Sequence, residues 1–258
     1  MNWTLPGAEM EALWFTTGRD QMPYPTSYNP PRFEWADELT QYRRAAVESI
    51  RAKYTDEMAA ALAVLDRPLV RIECNGRAGA HLETEVRVYA GIGAGRGALL
   101  RQLPNPARDV TGDFELTLCP PAEIARRVVA ALPDRPAGRL AELKIAKSDL
   151  GLESAPWDGS ALRARPLSAE EKVARVFDRP RDGIGEIDVF AGPGYDPASA
   201  DGALSFFWMD FTGDGRYVVR NGASAIQARP TDRQTLTSTL DAAIARARQR
   251  EATAGDVR

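Results

Sequence analysis

"FFWMDFTGDGRYVV", residues 206–219, is the stretch whose reading decides the fold. Five large apolar side chains precede a Gly-Asp-Gly turn, and an Arg-Tyr-Val-Val run follows. The stretch could be a metal loop, a catalytic turn or two strands. Asp-Gly between two strand-like runs is the strongest short hairpin signal, because such residues tolerate positive φ. "TGDG" lacks the further carboxylates and the closing glutamate of a calcium loop. We therefore read a β-hairpin over 203–220, turning at Gly213-Asp214. In its first strand Phe206, Trp208 and Asp210 point one way, and Phe207, Met209 and Phe211 the other. Large apolar side chains on both faces mean either that both are covered or that one is kept for a partner.

Outward from the hairpin the period alternates. "GIGEIDVFA" (183–191) and "ASAIQA" (223–228) read as strands, and "RPTDRQTLTSTLDAAIARARQR" as a helix. Thr231 and Gln234 are read as its capping box, with Leu236, Leu240, Ala243, Ile244 and Ala247 as its apolar stripe. The first half has the same order. A short strand and helix over 2–17 lead into a proline-rich crossing (18–32) and helices over 33–54 and 56–65. Strands follow at 68–74, 83–90, 97–103 and 113–118, then a helix from "CPPAEIARRVVAALP". Between the halves, "GRLAELKIAKSDL" reads equally as strand or helix and "SAPWDGSALRARPL" as loop, before a helix capped by Ser168 and Glu171 and running to about 178.

"ELTLCPPAEIARRVVAALP" and "AIQARPTDRQTLTSTLDAAIARA" are each a strand, a proline-marked turn and an amphipathic helix. Each follows several short strands. This predicts a two-fold pseudo-repeat in one α+β domain over 1–258, with halves of about 1–135 and 136–250 and a polar tail at 251–258.

The chain has 258 residues, 44% hydrophobic and 27% charged, with Lys+Arg 33 against Asp+Glu 36. That suffices for a sizeable core. A near-neutral balance without a basic block gives no footprint for nucleic acid. No apolar run approaches the ~20 residues that span a bilayer. Glu9 and Glu11 stand where a signal peptide needs a basic start and an apolar centre, so a cytoplasmic protein is expected. Cys74 and Cys119, the two cysteines, lie in strand-like runs and read as buried thiols.

The census of chemistry is nearly empty. His81 is the one histidine and follows a glycine-rich turn, so a Ser-His-Asp or His-based metal arrangement has little to build on. "GIGAGRG" (91–97) departs from G-x-G-x-x-G at Arg96, lacks Lys-Ser/Thr and does not open a helix; it reads as a turn between strands. No catalytic residue, metal ligand or cofactor is assigned, and a binding protein is expected rather than an enzyme.

Several stretches, in order along most of the chain, resemble the EspG family, the ESX (type VII) secretion-associated proteins of actinobacteria. They are "WTLPGAEMEALWFTTG" with "MPYP", "LVRIECNGR…VRVYAGIGAGRGALLRQL", "FELTLCPPAEIARRVVAALP", and, most specifically, "RPRDGIGEIDVFAG", the aromatic strand, "DGRYVV" and "IQARPTD". The "TSYNPPRFEW" stretch and 137–166 depart from the family pattern. The resemblance implies a quasi-two-fold fold with a central, mainly antiparallel sheet flanked by helical bundles. It implies a cytosolic chaperone that binds the tip of the helical PPE subunit in PE–PPE pairs, keeps the pair soluble and directs it to its ESX machine.

The two-faced aromatic strand and the final helix place the expected partner surface at Phe206, Trp208, Leu236, Leu240 and Ile244, with the same residues as core the plainer alternative. Its centre is expected to be an apolar groove, so salt should weaken binding only modestly. The partner is a PPE-like helical substrate, and the oligomeric state is a monomer or a weak dimer. The rival functions are an enzyme of unknown class and an interaction module unrelated to secretion.

Overall fold

The computed structural model describes residues 1–105, 111–149, 169–194 and 203–255. Ser168, the loop read at "SAPWDGSALRARPL" and the end of "AGPGYDP" lie outside these residues.

Ten strands form one sheet in the order β1-β5-β4-β3-β2-β7-β8-β9-β10-β6, every neighbouring pair antiparallel. On one side lie β1 (Asn2–Leu5), β2 (Val70–Ala78), β3 (Thr84–Ile92), β4 (Gly97–Gln102) and β5 (Phe114–Cys119). On the other lie β6 (Leu143–Ala146), β7 (Arg181–Ala191), β8 (Leu204–Phe211), β9 (Gly215–Asn221) and β10 (Ala225–Pro230). Each side is a four-strand meander whose last strand also pairs with a short strand from earlier in the chain, β1 on β5 and β6 on β10. The sides meet where β2 pairs with β7, from Val70↔Ala191 to Ala78↔Gly183. "GRLAELKIAKSDL" thus resolves as strand β6 followed by a short 3-10 turn.

The described residues form six α-helices: α1 (Gly7–Phe15), α2 (Ala36–Lys53), which packs on α1, α3 (Asp56–Asp66), α4 (Ile124–Ala130), α5 (Ala169–Phe177) and α6 (Arg233–Gly255). One face is roofed by α4 and α6. Ile124, Val128, Leu236, Leu240 and Ile244 pack there on Ile72, Val88, Ile187, Phe206 and Trp208 in one buried cluster. The opposite face is roofed in two places. Over β3–β5, α1 and α3 bury Met10, Leu13, Trp14, Leu62 and Leu65 against Tyr89, Leu100, Phe114 and Leu116. Over β8–β10, Val176 of α5 packs with Val219 and Ala228.

Side chains cap the starts of α3 and α6. The Thr55 side chain accepts from the Met58 amide at the start of α3. At α6 the predicted cap is corrected: Asp232 Oδ1 takes the Thr235 amide at 2.7 Å, while the Thr231 hydroxyl turns back to the Arg229 carbonyl. Asp232, one residue later, carries a full charge to the positive end of the helix dipole, so it is the stronger cap. α6 continues through Gly255, so the helix occupies most of the expected tail.

The hairpin is present. Phe211 pairs with Gly215, and the Asp214 amide closes the turn on the Phe211 carbonyl. Gly213 alone takes positive φ, +70°; Asp214 does not. The Trp208 ring reaches from β8 across β7 to β2, over Gly183, Gly185 and Gly76. A Cβ on any of these would stand 2.6–2.8 Å from a ring atom. Only glycine allows that approach.

Candidate partner-binding surface

The five residues expected at the surface are interior. Trp208, Leu236 and Leu240 are 0% exposed, Phe206 2% and Ile244 7%, all in the cluster beneath α4 and α6. The physical reason is that β8 lies inside a ten-stranded sheet roofed on both faces at that position. Apolar side chains on both faces of a strand are what such a position demands. Cys74 is also buried there, and burial pushes its thiol up to about 12, which leaves it unreactive. His81 is exposed in the β2–β3 turn, and "GIGAGRG" is the β3–β4 turn, closed by the Gly93 amide on the Arg96 carbonyl. Among the described residues no group of three or more His, Cys, Asp or Glu is placed to hold a metal ion. Nor is any helix among them long and apolar enough to cross a membrane.

The "DGRY" segment has a different job, which the sequence did not disclose. It grips the connection between α4 and β6. Arg216 donates to both oxygens of Asp210 at 2.6 and 2.7 Å, and to the Pro133 carbonyl at 2.7 Å. That ion pair is 1% exposed on each side. The Arg216 amide donates to the Pro136 carbonyl, and the Arg216 carbonyl accepts from the Gly138 amide. Asp214 accepts from the Arg139 amide (2.8 Å), from Arg179 Nη1 (2.5 Å) and from the Tyr217 hydroxyl (2.8 Å). Desolvation would raise the Asp214 carboxyl, but the Arg139 amide, Arg179 and Tyr217 outweigh it and hold it down at about 2. Every charge in this clamp has a partner inside the chain, so it offers nothing to a ligand.

Among the described residues, the surface that stays open is the middle of the sheet face opposite α4 and α6. Between the roof of α1 and α3 and that of α5 runs a band centred on β2 and β7. Period-2 alternation puts Val70, Ile72 and Cys74 into the core, and Arg71, Glu73, Asn75 and Arg77 onto the band. Their register partners on β7 are Phe190, Asp188, Glu186 and Ile184. At a rise of ~3.3 Å per residue, Arg71 to Arg77 spans about 20 Å. The proline-rich crossing supplies one wall. Tyr24 accepts from Asn75 Nδ2 at 3.0 Å. At one end a cavity of about 160 Å³ is lined by Trp14, Tyr24, Tyr89, Arg71 and Glu73. At the other a bay of about 350 Å³ is lined by Ser27, Asn29, Arg77, Glu85 and Arg87.

The band is charged, not apolar. Arg71 is 5% exposed, with its guanidinium carbon 4.0 Å above the Phe190 ring and its Nε 2.6 Å from Glu73 Oε1. Arg77 and Arg87 both close on Glu85, at 3.3 and 2.9 Å. Burial raises the Glu73 carboxyl against the pull of Arg71, and raises Glu186, to which Asp188 adds its repulsion. Polarity of both signs, with a cavity at each end, suits a docking face and holds no arrangement of nucleophile and base.

A model of the EspG family matches residues 6–242. The chain is similar to the solved structure described as the Mycobacterium tuberculosis type VII secretion system chaperone EspG5 in complex with the PE25–PPE41 dimer. The TM-score is 0.57 at 13% sequence identity, over 95% of this chain and 96% of that one, a likeness of fold. No curated protein matches the chain.

Proposed function

The chain belongs to the EspG family, and from that membership we propose that it is a chaperone of type VII (ESX) secretion. It acts in the cytoplasm, without catalysis. It binds the helical tip of a PPE or PPE-like subunit, keeps the substrate pair from aggregating and presents it to the secretion machine. The observation that carries this reading is the family match across nearly the whole chain. The solved complex of EspG5 with a PE–PPE dimer, on the same fold, supports the choice of partner.

We place the docking site on the β2–β7 band. It is open, about 20 Å long, and walled on one side by an irregular proline-rich segment. Loops on a rigid sheet are where recognition is commonly built. The expectation of an apolar groove changes accordingly: a charged floor makes binding depend on salt.

The test is co-expression of the full chain with PE–PPE-type gene pairs from its own genome, followed by affinity purification and size exclusion. At least one pair is expected to co-elute as a stable complex and to precipitate when expressed without the chain. Failure of every pair to co-elute would overturn the reading.

A further inference from the structure

Four strands bring their polar side chains onto the band, and the charges do not balance along it. Arg71 is spent on Glu73, and Arg77 and Arg87 are spent on Glu85. Glu186 and Asp188, two residues apart on the same face of β7, have no ion pair among the described residues. Their side chains stand roughly 7 Å apart by strand geometry. Asp188 also sits directly across from Glu73 in the β2–β7 register, and Glu186 across from Asn75. Like charges directly opposite on paired strands are destabilising. Ser205 and Phe207, the β8 partners of Asp188 and Glu186, bring no compensating charge. Tyr24 and Asn75 are neutral. The centre of the band therefore carries negative charge that the described residues do not neutralise, between a flank where Arg71 meets Glu73 and one where Arg77 and Arg87 share Glu85.

We infer that Glu186 and Asp188 receive a basic side chain, an arginine or a lysine, carried at the tip of the helical substrate. This rests on the function proposed above and makes it specific. Beside Glu186 and Asp188 an incoming carboxylate meets no cation among the described residues, the nearest arginines being held by Glu73 and Glu85. An incoming guanidinium or ammonium finds two carboxylates, half-buried, where charge-assisted hydrogen bonds are stronger than in open water. The pair also selects: a tip with an acidic residue at that place is repelled, which is how complementary charge discriminates among related partners.

The inference makes the two carboxylates costly in the free chain and useful in the complex, and the two effects can be read separately. The PE–PPE-type pair that co-elutes with the wild-type chain is titrated calorimetrically against three full-length variants. The neutral double variant Glu186→Gln/Asp188→Asn is expected to melt at or above the wild-type temperature, because repulsion is removed, yet to bind about tenfold or more weakly. The reversed variant Glu186→Lys/Asp188→Lys is expected to lose the complex. Exchanging the basic residue at the substrate tip for Glu is expected to restore it. A neutral double variant that binds within about twofold of wild type overturns the inference and leaves the chaperone reading standing. A wild-type chain that binds no pair takes both down.

Discussion

Two charged regions lie on one sheet and have opposite characters. The clamp around Asp210, Asp214, Arg216 and Tyr217 is buried except at the edge of Asp214, and each of its charges has its counterpart in the chain. The band around Glu73, Glu186 and Asp188 is open among the described residues, and two of its charges have no counterpart there. The "DGRY" letters caught the eye in the sequence, and they turn out to fasten one segment to another. The letters of "IGEIDVFA", read in the sequence only as a strand and as part of the family resemblance, place Glu186 and Asp188 on the proposed docking face. Whether a charged residue serves the fold or a partner is decided by what else in the chain already neutralises it.

The sharpest way to break the contrast is to remove one member of the buried pair. Arg216→Met should destabilise by about 3–5 kcal/mol, because Asp210 is left as a buried charge without a counterion. The joint change Asp210→Leu/Arg216→Met should recover much of the loss. Chemical denaturation of both proteins measures this; equal losses would mean that the Pro133 bond, and not the pair, matters. Trp208→Ala should fall in the same range, about 3–5 kcal/mol, as a fully buried indole in the central cluster.

Asp214→Asn should cost roughly 1–2 kcal/mol at neutral pH, less than the whole shift of its carboxyl because part of the side chain meets solvent. The sign in acid separates the regions. The Asp214 carboxyl sits at about 2 in the fold against 3.8 unfolded, so its contribution is present above 3.8 and is lost as pH falls towards 2. Glu73 and Glu186 are raised from 4.5. Their protonated forms favour the fold, so that stability is present below 4.5 and is lost as pH rises through their folded values. Melting temperature against pH should therefore flatten on the acid limb for Asp214→Asn, and rise near neutrality for Glu186→Gln, which leaves no buried guanidinium without a counterion. Matching curves for both classes would erase the distinction. The smallest effect is on the free chain: Glu186→Gln alone should stabilise by a few tenths of a kcal/mol. Added salt should weaken the substrate complex several-fold while barely moving the unfolding midpoint, since the clamp is shielded from ions and the band is not.

Much of the fold was legible. Period-2 runs located strands β2 to β5 and β7 to β10, and Asp-Gly between two of them located the hairpin. The edge strand β6 was not, because four residues whose pairing lies 80 positions downstream carry no local periodicity of their own. The surface was misjudged at Phe206 and Trp208 because strand faces can be read from sequence, but the roofs above them cannot. The missing signal was present in "VRIECNGRA" and "IGEIDVFA": polar residues at every second position of two strands. It becomes a surface only once β2 and β7, more than a hundred residues apart, are known to be neighbours.

The indole of Trp208 carries a consequence for descent. Its ring fills the space above Gly76, Gly183 and Gly185, where no Cβ fits. The four positions constrain one another sterically. Among homologues, an indole at 208 should travel with hydrogen at the other three, and lineages that replaced it by a smaller residue should be the ones where alanine or serine has appeared at 76, 183 or 185. An alignment would show these columns drifting together across the seam of the sheet, although they are scattered over 133 residues of chain.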